Sequence, residues 1–468
     1  MVQPFKPAKR TNNRKKQNTR TKVLSELTLS IQTLDHEGQG VAREHKPVTF
    51  VEGALPGEQC RVALSEQKAS YNKGRVIKVL TPHPQRQSPQ CVHFGECGGC
   101  QTQYFPYDLM LEQKQVAVTN LFKKFLNNAG DLSIPWQPAI SAGGTQYRRK
   151  ARLAVDFRDN EQRKVGYRGR GSNHVIAITE CPVLLPQLEQ LIAPLQRLAT
   201  ALSAKTAIGH IDILQGDALQ DGTVNYTTPM VVIRTTRTLS QQNRALLSEF
   251  AQSNDCHMLL QPKSGESEVL AGSSQYIHYA LPEAINIRAC SNDFMQVNAT
   301  VNRAMVTTAM DWLDLQPKDK ILDLFCGLGN FSLPLAKHVS SVVGLEGIPE
   351  MVQRASQNAQ KNSIDNVEFV CRDLDERDAL SRWRKSGVTK VVLDPSRAGA
   401  KHVMGQIMEL NPEKVLYVSC NPATFGRDIA QLVAGTKKCR YRLEKVALLD
   451  MFPYTAHTEL MSLFVRQS

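Results

Sequence analysis

No uninterrupted apolar run in this 468-residue sequence approaches the roughly 18 residues of a membrane helix, so no membrane-spanning segment is expected. The first 22 residues contain no acidic side chain, and no apolar stretch follows them to complete a secretory signal. No segment repeats at a fixed period, which argues against solenoids and propellers, and low complexity is confined to that first stretch. What the stretch holds is eight basic residues, Lys6, Lys9, Arg10, Arg14, Lys15, Lys16, Arg20 and Lys22, separated by Asn, Gln and Thr. Such a segment cannot bury enough apolar surface to fold alone. It reads as a disordered basic arm, residues 1–22, that gains affinity by neutralising phosphates. The whole chain shares the bias: 57 Lys and Arg against 44 Asp and Glu, a net charge of +13, point to an anionic partner.

The length exceeds one ordinary core and calls for two to four domains. Residues 23–81 alternate short apolar segments with turns (Leu27–Ile31, Gly40–Ala42, Val48–Val51, Cys60–Leu64, Gly74–Val79), the spacing of a small closed β-barrel. A Pro-rich linker, Thr81–Pro89, follows. Residues 82–290 read as a mixed α+β central domain, opened by an amphipathic helix over Tyr104–Leu126 that is a candidate to dock on the last domain. Its basic stretches Arg148–Arg152 and Arg163–Arg170 lie beside Tyr147 and Tyr167, a combination suited to phosphates and stacked bases. Residues 291–468 carry five apolar runs separated by helix-length segments, the pattern of a doubly wound parallel sheet.

Eleven cysteines in a basic chain without an expected signal peptide argue for reduced thiols rather than disulfides. Cys60, Cys256, Cys290, Cys326, Cys371 and Cys439 stand singly in apolar or mixed runs and read as packing residues. Cys91, Cys97 and Cys100 instead fall within ten residues, and Cys181 precedes a proline. This spacing suits an iron-sulfur cluster or a structural zinc ion, with His93 a weaker candidate ligand.

Chemistry collects at the ends of the last domain's apolar runs, where open α/β sheets bind their ligands. Cys420 follows Val415–Val418 within Ser419-Cys-Asn-Pro422, and Asp394 closes Lys390–Leu393 and opens Asp394-Pro-Ser-Arg397. Beyond these lies Asp450-Met-Phe-Pro-Tyr-Thr-Ala-His457-Thr-Glu459. Asp323–Asn330 joins the first run to a helix through Gly327 and Gly329, whose missing side chains let a ligand approach backbone amides. Ser332 occupies the place of the third glycine in a dinucleotide fingerprint, which disfavours a nicotinamide site. Glu346, ending the second run, is placed for ribose hydroxyls, and Asp373, near the third, for an adenine amine.

These motifs together resemble the uracil-C5 RNA methyltransferase family, over essentially the whole chain from Val23 onward; the segment 23–81 resembles a TRAM domain, an OB-like RNA-binding barrel. The resemblance implies a [4Fe-4S] cluster on Cys91, Cys97, Cys100 and Cys181, and S-adenosyl-L-methionine contacts from Gln296, Phe325, Asn330, Glu346, Asp373 and Asp394. It further implies a cytoplasmic monomer acting on a single-stranded or loop uridine of 23S ribosomal RNA. Another ribosomal or transfer RNA uridine is the alternative.

The residues agree with that chemistry independently. Uracil C5 is too weakly nucleophilic to take a methyl group until a nucleophile adds at C6, and a thiolate, here Cys420, is the natural choice. Glu459 is the expected base for the C5 proton, with His457 a substitute, while Asp394 and Arg397 would orient the pyrimidine or its developing charge. A radical methylthiotransferase would need Cys-x3-Cys-x2-Cys, whereas the first spacing here is five, and its barrel would stand at the other end of the chain. Intact Cys420 and Glu459 count against a non-catalytic RNA-binding assembly factor.

The arm's composition yields the first prediction. Deleting residues 1–22 weakens RNA binding and flattens its dependence on salt, leaving the methylated nucleotide unchanged. Binding titrations at several salt concentrations, with mass mapping of the product, measure both effects. Methylation at a different nucleotide would instead give the arm a part in specificity.

Overall fold

The structure is a computed structural model describing residues 25–125, 134–158, 163–203, 208–220, 223–263, 266–435 and 439–467. The arm expected over residues 1–22 lies outside them. The chain forms two compact units, one up to Thr33 with Gln39–His83, the other Leu34–Gly38 with Pro84–Ser468.

The first unit is built on β1 (Glu26–Ser30), β2 (Thr33–Leu34), β3 (Gly40–Ala42), β4 (Val48–Glu52), β5 (Gln59–Gln67) and β6 (Tyr71–Thr81), hydrogen-bonded in the order β1-β5-β6-β4-β3-β2. Only two residues separate β1 from β2. The chain therefore bends from pairing with β5 to the β3 side, where Gln32 N donates to Val41 O, and this bend curls the sheet into a barrel. Alternate residues of β5 turn inward, Cys60, Val62 and Leu64, onto Leu29, Ile31 and Val51. Gly74 of β6 has to be small: a Cβ there would stand 2.6 Å from Val62 Cγ1 and 2.8 Å from the Ala63 carbonyl.

In the second unit α1 (Tyr107–Phe125) comes first. A seven-stranded sheet follows, ordered β15-β14-β13-β10-β7-β8-β9, from β7 (Lys150–Asp156), β8 (Lys164–Arg168), β9 (Val175–Ala177), β10 (Ile208–Leu214), β13 (Met230–Thr235), β14 (His257–Pro262) and β15 (Glu268–Ala271). Two hairpins flank it, β11 (Asp217–Gln220) with β12 (Thr223–Tyr226), and β16 (Tyr276–Ala280) with β17 (Asn286–Cys290). The helices α2 (Pro186–Gln190), α3 (Ile192–Ala201) and α4 (Gln241–Ser253) belong to this part; Leu195 and Leu247 pack on Leu153, Ile211 and Val231.

A second seven-stranded sheet carries the rest: β18 (Lys320–Leu324), β19 (Ser341–Glu346), β20 (Val367–Cys371), β21 (Lys390–Leu393), β22 (Lys414–Ser419), β23 (Tyr441–Leu449) and β24 (Glu459–Arg466). Helices α5 (Ala299–Leu313), α6 (Ser332–Ala336), α7 (Pro349–Lys361), α8 (Lys401–Leu410) and α9 (Pro422–Ala434) alternate with them. Both faces are covered, so the strands are apolar on both sides: Ile321, Val392 and Leu416 enter one core, Leu322, Val391 and Val415 the other.

The five expected runs, β18 to β22, pair in parallel, and two strands beyond them complete the sheet. The order is β20-β19-β18-β21-β22-β24-β23, and β24 runs antiparallel to both neighbours. The loop 450–458 is too short for a crossover helix, so the chain after β23 turns straight back as a hairpin partner.

Helix α1 belongs to this sheet's core, not to the strands that follow it in sequence. Val118 and Phe122 are buried against Phe425 of α9, with the two phenyl rings 5.3 Å apart. Gly426 makes room, since a Cβ there would meet the Phe125 ring at 2.4 Å. Among the described residues no helix is long and apolar enough to cross a membrane.

Candidate functional site

Three neighbouring strand ends bring the reactive groups to one rim. Ser419 pairs with Leu460, so Cys420, one residue past the end of β22, stands beside Glu459 at the start of β24. Glu459 in turn pairs with Leu449, and Asp450 is the next residue of that chain. On the other side Leu393 pairs with Tyr417, which sets Asp394 level with Val418 as the chain leaves the sheet. Pro422 opens α9 and the Asn421 side chain caps it, accepting from Ala423 N at 3.0 Å, so Cys420 lies at the positive end of a helix.

Burial dominates the electrostatics there. Asp394 receives no hydrogen bond on its carboxyl among the described residues, and desolvation raises it to about 7. Glu459, 8% exposed, is pushed up to about 8, first by burial and then by Asp394, with Lys114 and Arg397 opposing. The Cys420 thiol rises to about 11 through burial, Glu459 and Asp394, which outweigh Arg397. The resting rim is thus a neutral thiol beside acids poised to hold protons near neutrality. Arg397 Nη2 donates to His457 Nδ1 at 2.6 Å, and partial burial and that guanidinium lower His457 to about 4. Lowered to about 4 and with Nδ1 engaged by Arg397, His457 holds a proton more weakly than Glu459 and is the poorer base.

The loop after β18 forms a cleft beside this rim. Phe325, Gly327 and Gly329 all have φ between +57° and +91°, a backbone that only the two glycines adopt without strain. Glu346 folds over the loop, accepting from Gly327 N and Ile348 N, each at 3.1 Å. Asn330 exchanges a pair of 3.0 Å side-chain hydrogen bonds with Asn302 of α5. Asp373 is exposed two residues beyond β20 and accepts from Asp375 N, while Gln296 is buried just before α5. Buried Asp323, bonded by the Ser332 hydroxyl, is raised to about 7.

Cys91, Cys97, Cys100 and Cys181 line one cavity of about 300 Å³, together with Tyr147, Arg148, Phe452 and His457. Burial, then the mutual repulsion of the thiols, raises Cys181 to about 12. Among the described residues no group of three or more Cys, His, Asp or Glu side chains is drawn close enough to hold a metal ion, although the four cysteines share this cavity. His93 is engaged elsewhere, its Nε2 accepting from Thr179 N at 2.9 Å. Of the six lone cysteines, Cys371 is exposed rather than packed.

The first of the two basic stretches is turned inward in part, at Arg149 and Lys150, while Arg152 stays exposed. Arg149 is 1% exposed, donating to Gln296 O at 2.8 Å and pairing with Asp217, which also accepts from Arg303 of α5. Lys150 donates to the carbonyls of Ser291 and Asp293, and Tyr147 to that of Pro453. These contacts turn Arg149 and Lys150 toward the segment before α5 and Tyr147 toward the rim loop, which composition could not reveal. Sequence reasoning also missed Tyr107 and Lys114 of α1, both bonded to Asp450; only their positions on a docking helix hinted at them.

Residues 106–467 match the family model described as tRNA (Uracil-5-)-methyltransferase, and residues 20–77 match the TRAM domain. Two curated relatives, from Klebsiella pneumoniae strain 342 and K. pneumoniae subsp. pneumoniae strain ATCC 700721, are each 40% identical over 94% of this chain and 96% of their own length. Both are named 23S rRNA (uracil(1939)-C(5))-methyltransferase RlmD. Among solved structures, the Pyrococcus abyssi tRNA (uracil-54, C5)-methyltransferase, in complex with S-adenosyl-L-homocysteine, shares the fold with a TM-score of 0.69 at 23% identity, covering 94% of this chain and 100% of its own.

The raised acids set a stability trend. Asp323, Asp394 and Glu459 move up from 3.8, 3.8 and 4.5 to about 7, 7 and 8, so between those limits the folded chain binds more protons than the unfolded one. Their stabilising contribution is complete at the acidic end and is lost as pH rises. The melting temperature of the ligand-free protein therefore falls between about pH 5.5 and 8, and Asp394→Asn with Glu459→Gln flattens that slope. Calorimetry at fixed ionic strength measures it, and a parent curve flat or rising over this window would contradict the assignment.

Proposed function

The chain belongs to the tRNA (uracil-5-)-methyltransferase family and is an RNA (uracil-C5)-methyltransferase, and we propose that its substrate is the 23S ribosomal RNA uridine named for its relatives, position 1939. Cytoplasmic action belongs to this reading. The observation that supports it most is the side-by-side placement of Cys420 and Glu459 where β22 and β24 pair at the open rim, with Asp394 alongside. A thiol and a base within one pocket are what addition and elimination at neighbouring pyrimidine carbons require.

In this reading the uridine leaves its stack and enters the rim. Cys420 releases its proton to solvent and its thiolate Sγ adds to C6, the C5=C6 pair moving into an enolate, while Asp394 and Arg397, the groups flanking the thiol, orient the pyrimidine and Arg397 offsets the charge that develops on it. Bound S-adenosyl-L-methionine would supply the methyl group for C5, its methyl–sulfur bond breaking to leave S-adenosyl-L-homocysteine, and its sulfonium would suit a cleft rimmed by acids. Gln296, Phe325, Asn330, Glu346, Asp373 and Asp394 would hold it. The cleft suits it, because Asp394 has no protein donor among the described residues and the left-handed turn at Phe325–Gly329 lies beside the Glu346 carboxylate. Glu459 then takes the C5 proton, the ring double bond reforms, and the C6–S bond breaks to release Cys420.

We assign a [4Fe-4S] cluster to Cys91, Cys97, Cys100 and Cys181. What supports it is that all four thiols face one cavity of about 300 Å³. Anaerobically prepared protein contains iron and absorbs broadly in the visible, and Cys181→Ser loses both. Stoichiometric zinc without iron on elemental analysis would replace the cluster by a zinc site.

The two catalytic roles separate on a denaturing gel with RNA and methyl donor. Cys420→Ala forms no covalent adduct and no product. Glu459→Gln adds and methylates but cannot eliminate, so methylated RNA stays bound to Cys420. Free turnover by the Glu459 variant, or an adduct without Cys420, would overturn the assignment; mapping of the product tests the nucleotide.

A further inference from the structure

The loop 450–458, which carries the chain from β23 into Glu459, is gripped almost entirely by residues from before the central sheet. Gln101 N and Thr102 N both donate to Tyr454 O, at 2.9 and 3.1 Å, and the Gln101 side chain accepts from Ala456 N. Tyr107 OH donates to Asp450 Oδ2 at 2.7 Å. Lys114 Nζ reaches both ends of the loop, donating to Asp450 Oδ1 at 3.2 Å and to the His457 carbonyl at 2.9 Å. The ion pair is secluded, the side chains being 10% and 1% exposed.

We propose that Lys114 is a positioning residue for the elimination step, clamping the two ends of the loop that delivers Glu459 so that its carboxyl meets the C5 proton. This rests on Glu459 being the base. Lys114 touches neither Cys420 nor the cofactor cleft, so addition at C6 and methyl transfer do not depend on it. What depends on it is the last event: the C5–H bond breaks with its proton passing to Glu459, the electron pair reforms C5=C6, and the C6–S pair returns to Cys420. An ammonium tied to backbone at one end and carboxylate at the other fixes the loop more firmly than either bond alone.

The clamp acts electrostatically as well. Glu459 is faced by Asp394 and Arg397 from the β21 side, Cys420 from β22, Asp450 from β23 and Lys114 from α1, and of these Lys114 and Arg397 favour its ionised form. Removing Lys114 moves the ionisation of Glu459 to higher pH, so elimination, which needs the carboxylate, turns on later as pH rises.

The experiment follows the covalent methylated adduct in single turnover, using full-length protein, substrate RNA and S-adenosyl-L-methionine. With Lys114→Met the adduct forms at the parent rate and decays about tenfold more slowly, with the pH midpoint of decay displaced upward and KM for the methyl donor unchanged. Lys114→Arg, which keeps charge and reach, restores most of the decay rate. Tyr107→Phe, nearly isosteric and a probe should Lys114→Met fold poorly, slows decay about two- to threefold by removing one bond to Asp450. Parent-like adduct decay in Lys114→Met and Tyr107→Phe, or slow decay matched by an equal loss in methyl-donor binding, would overturn the proposal. The base assignment itself is read separately, from the Glu459→Gln adduct: trapping there with normal decay in the Lys114 variant removes only the clamp.

Discussion

Because β24 runs against its neighbours, its first residue arrives at the rim where β21 and β22 end and where the ascending β23 stops. A parallel β24 would have carried Glu459 to the far edge, a strand length from Cys420. The pairing of Ser419 with Leu460 fixes the two reactive groups as neighbours through backbone hydrogen bonds, and a slip of one residue would turn Glu459 to the other face. The neighbouring positions of Cys420 and Glu459 are therefore held by main chain in a sheet covered on both faces.

That rigidity sets the electrostatic problem. Cys420, Asp394 and Glu459 crowd together at the rim, and each is pushed toward its neutral form by loss of water, Cys420 and Glu459 also by their acidic neighbours. The positive end of α9, Arg397 and Lys114 work in the opposite sense without prevailing. The site is built short of positive charge, which is what a cationic cofactor and a proton-transferring base can exploit.

The seven-stranded central sheet and the segment before it act as supports for this rim. Arg149 and Asp217 tie the turn before α5 and the helix itself through Gln296 O and Arg303, and α5 reaches the cofactor loop through Asn302 and Asn330. Tyr107 and Lys114 hold the other side through Asp450. Since Gln101 and Thr102 directly follow Cys100, the chain that binds Tyr454 O is continuous with the wall of the four-cysteine cavity.

The barrel, the alternation of the last domain and the strand-end positions of Cys420, Glu459, Asp394 and Glu346 were legible in the sequence, because strand-length apolar runs, glycine turns and strand-end polar residues are local patterns. The four spaced cysteines were legible as a group for the same reason. The antiparallel return of β24, the inward turn of Arg149 and Lys150, and the union of α1 with α9 were decided only by the tertiary structure. Strand direction depends on which edge a returning chain finds, and a basic residue in a strand faces water or a buried carboxylate according to what packs over it. Asp217 and Asp450 lie 68 and 336 residues from Arg149 and Lys114, so no local pattern could have paired them. Sequence determined which chemical groups the chain owns and roughly where its strands begin and end; folding decided which of those groups share a recess, and therefore which acids hold their protons.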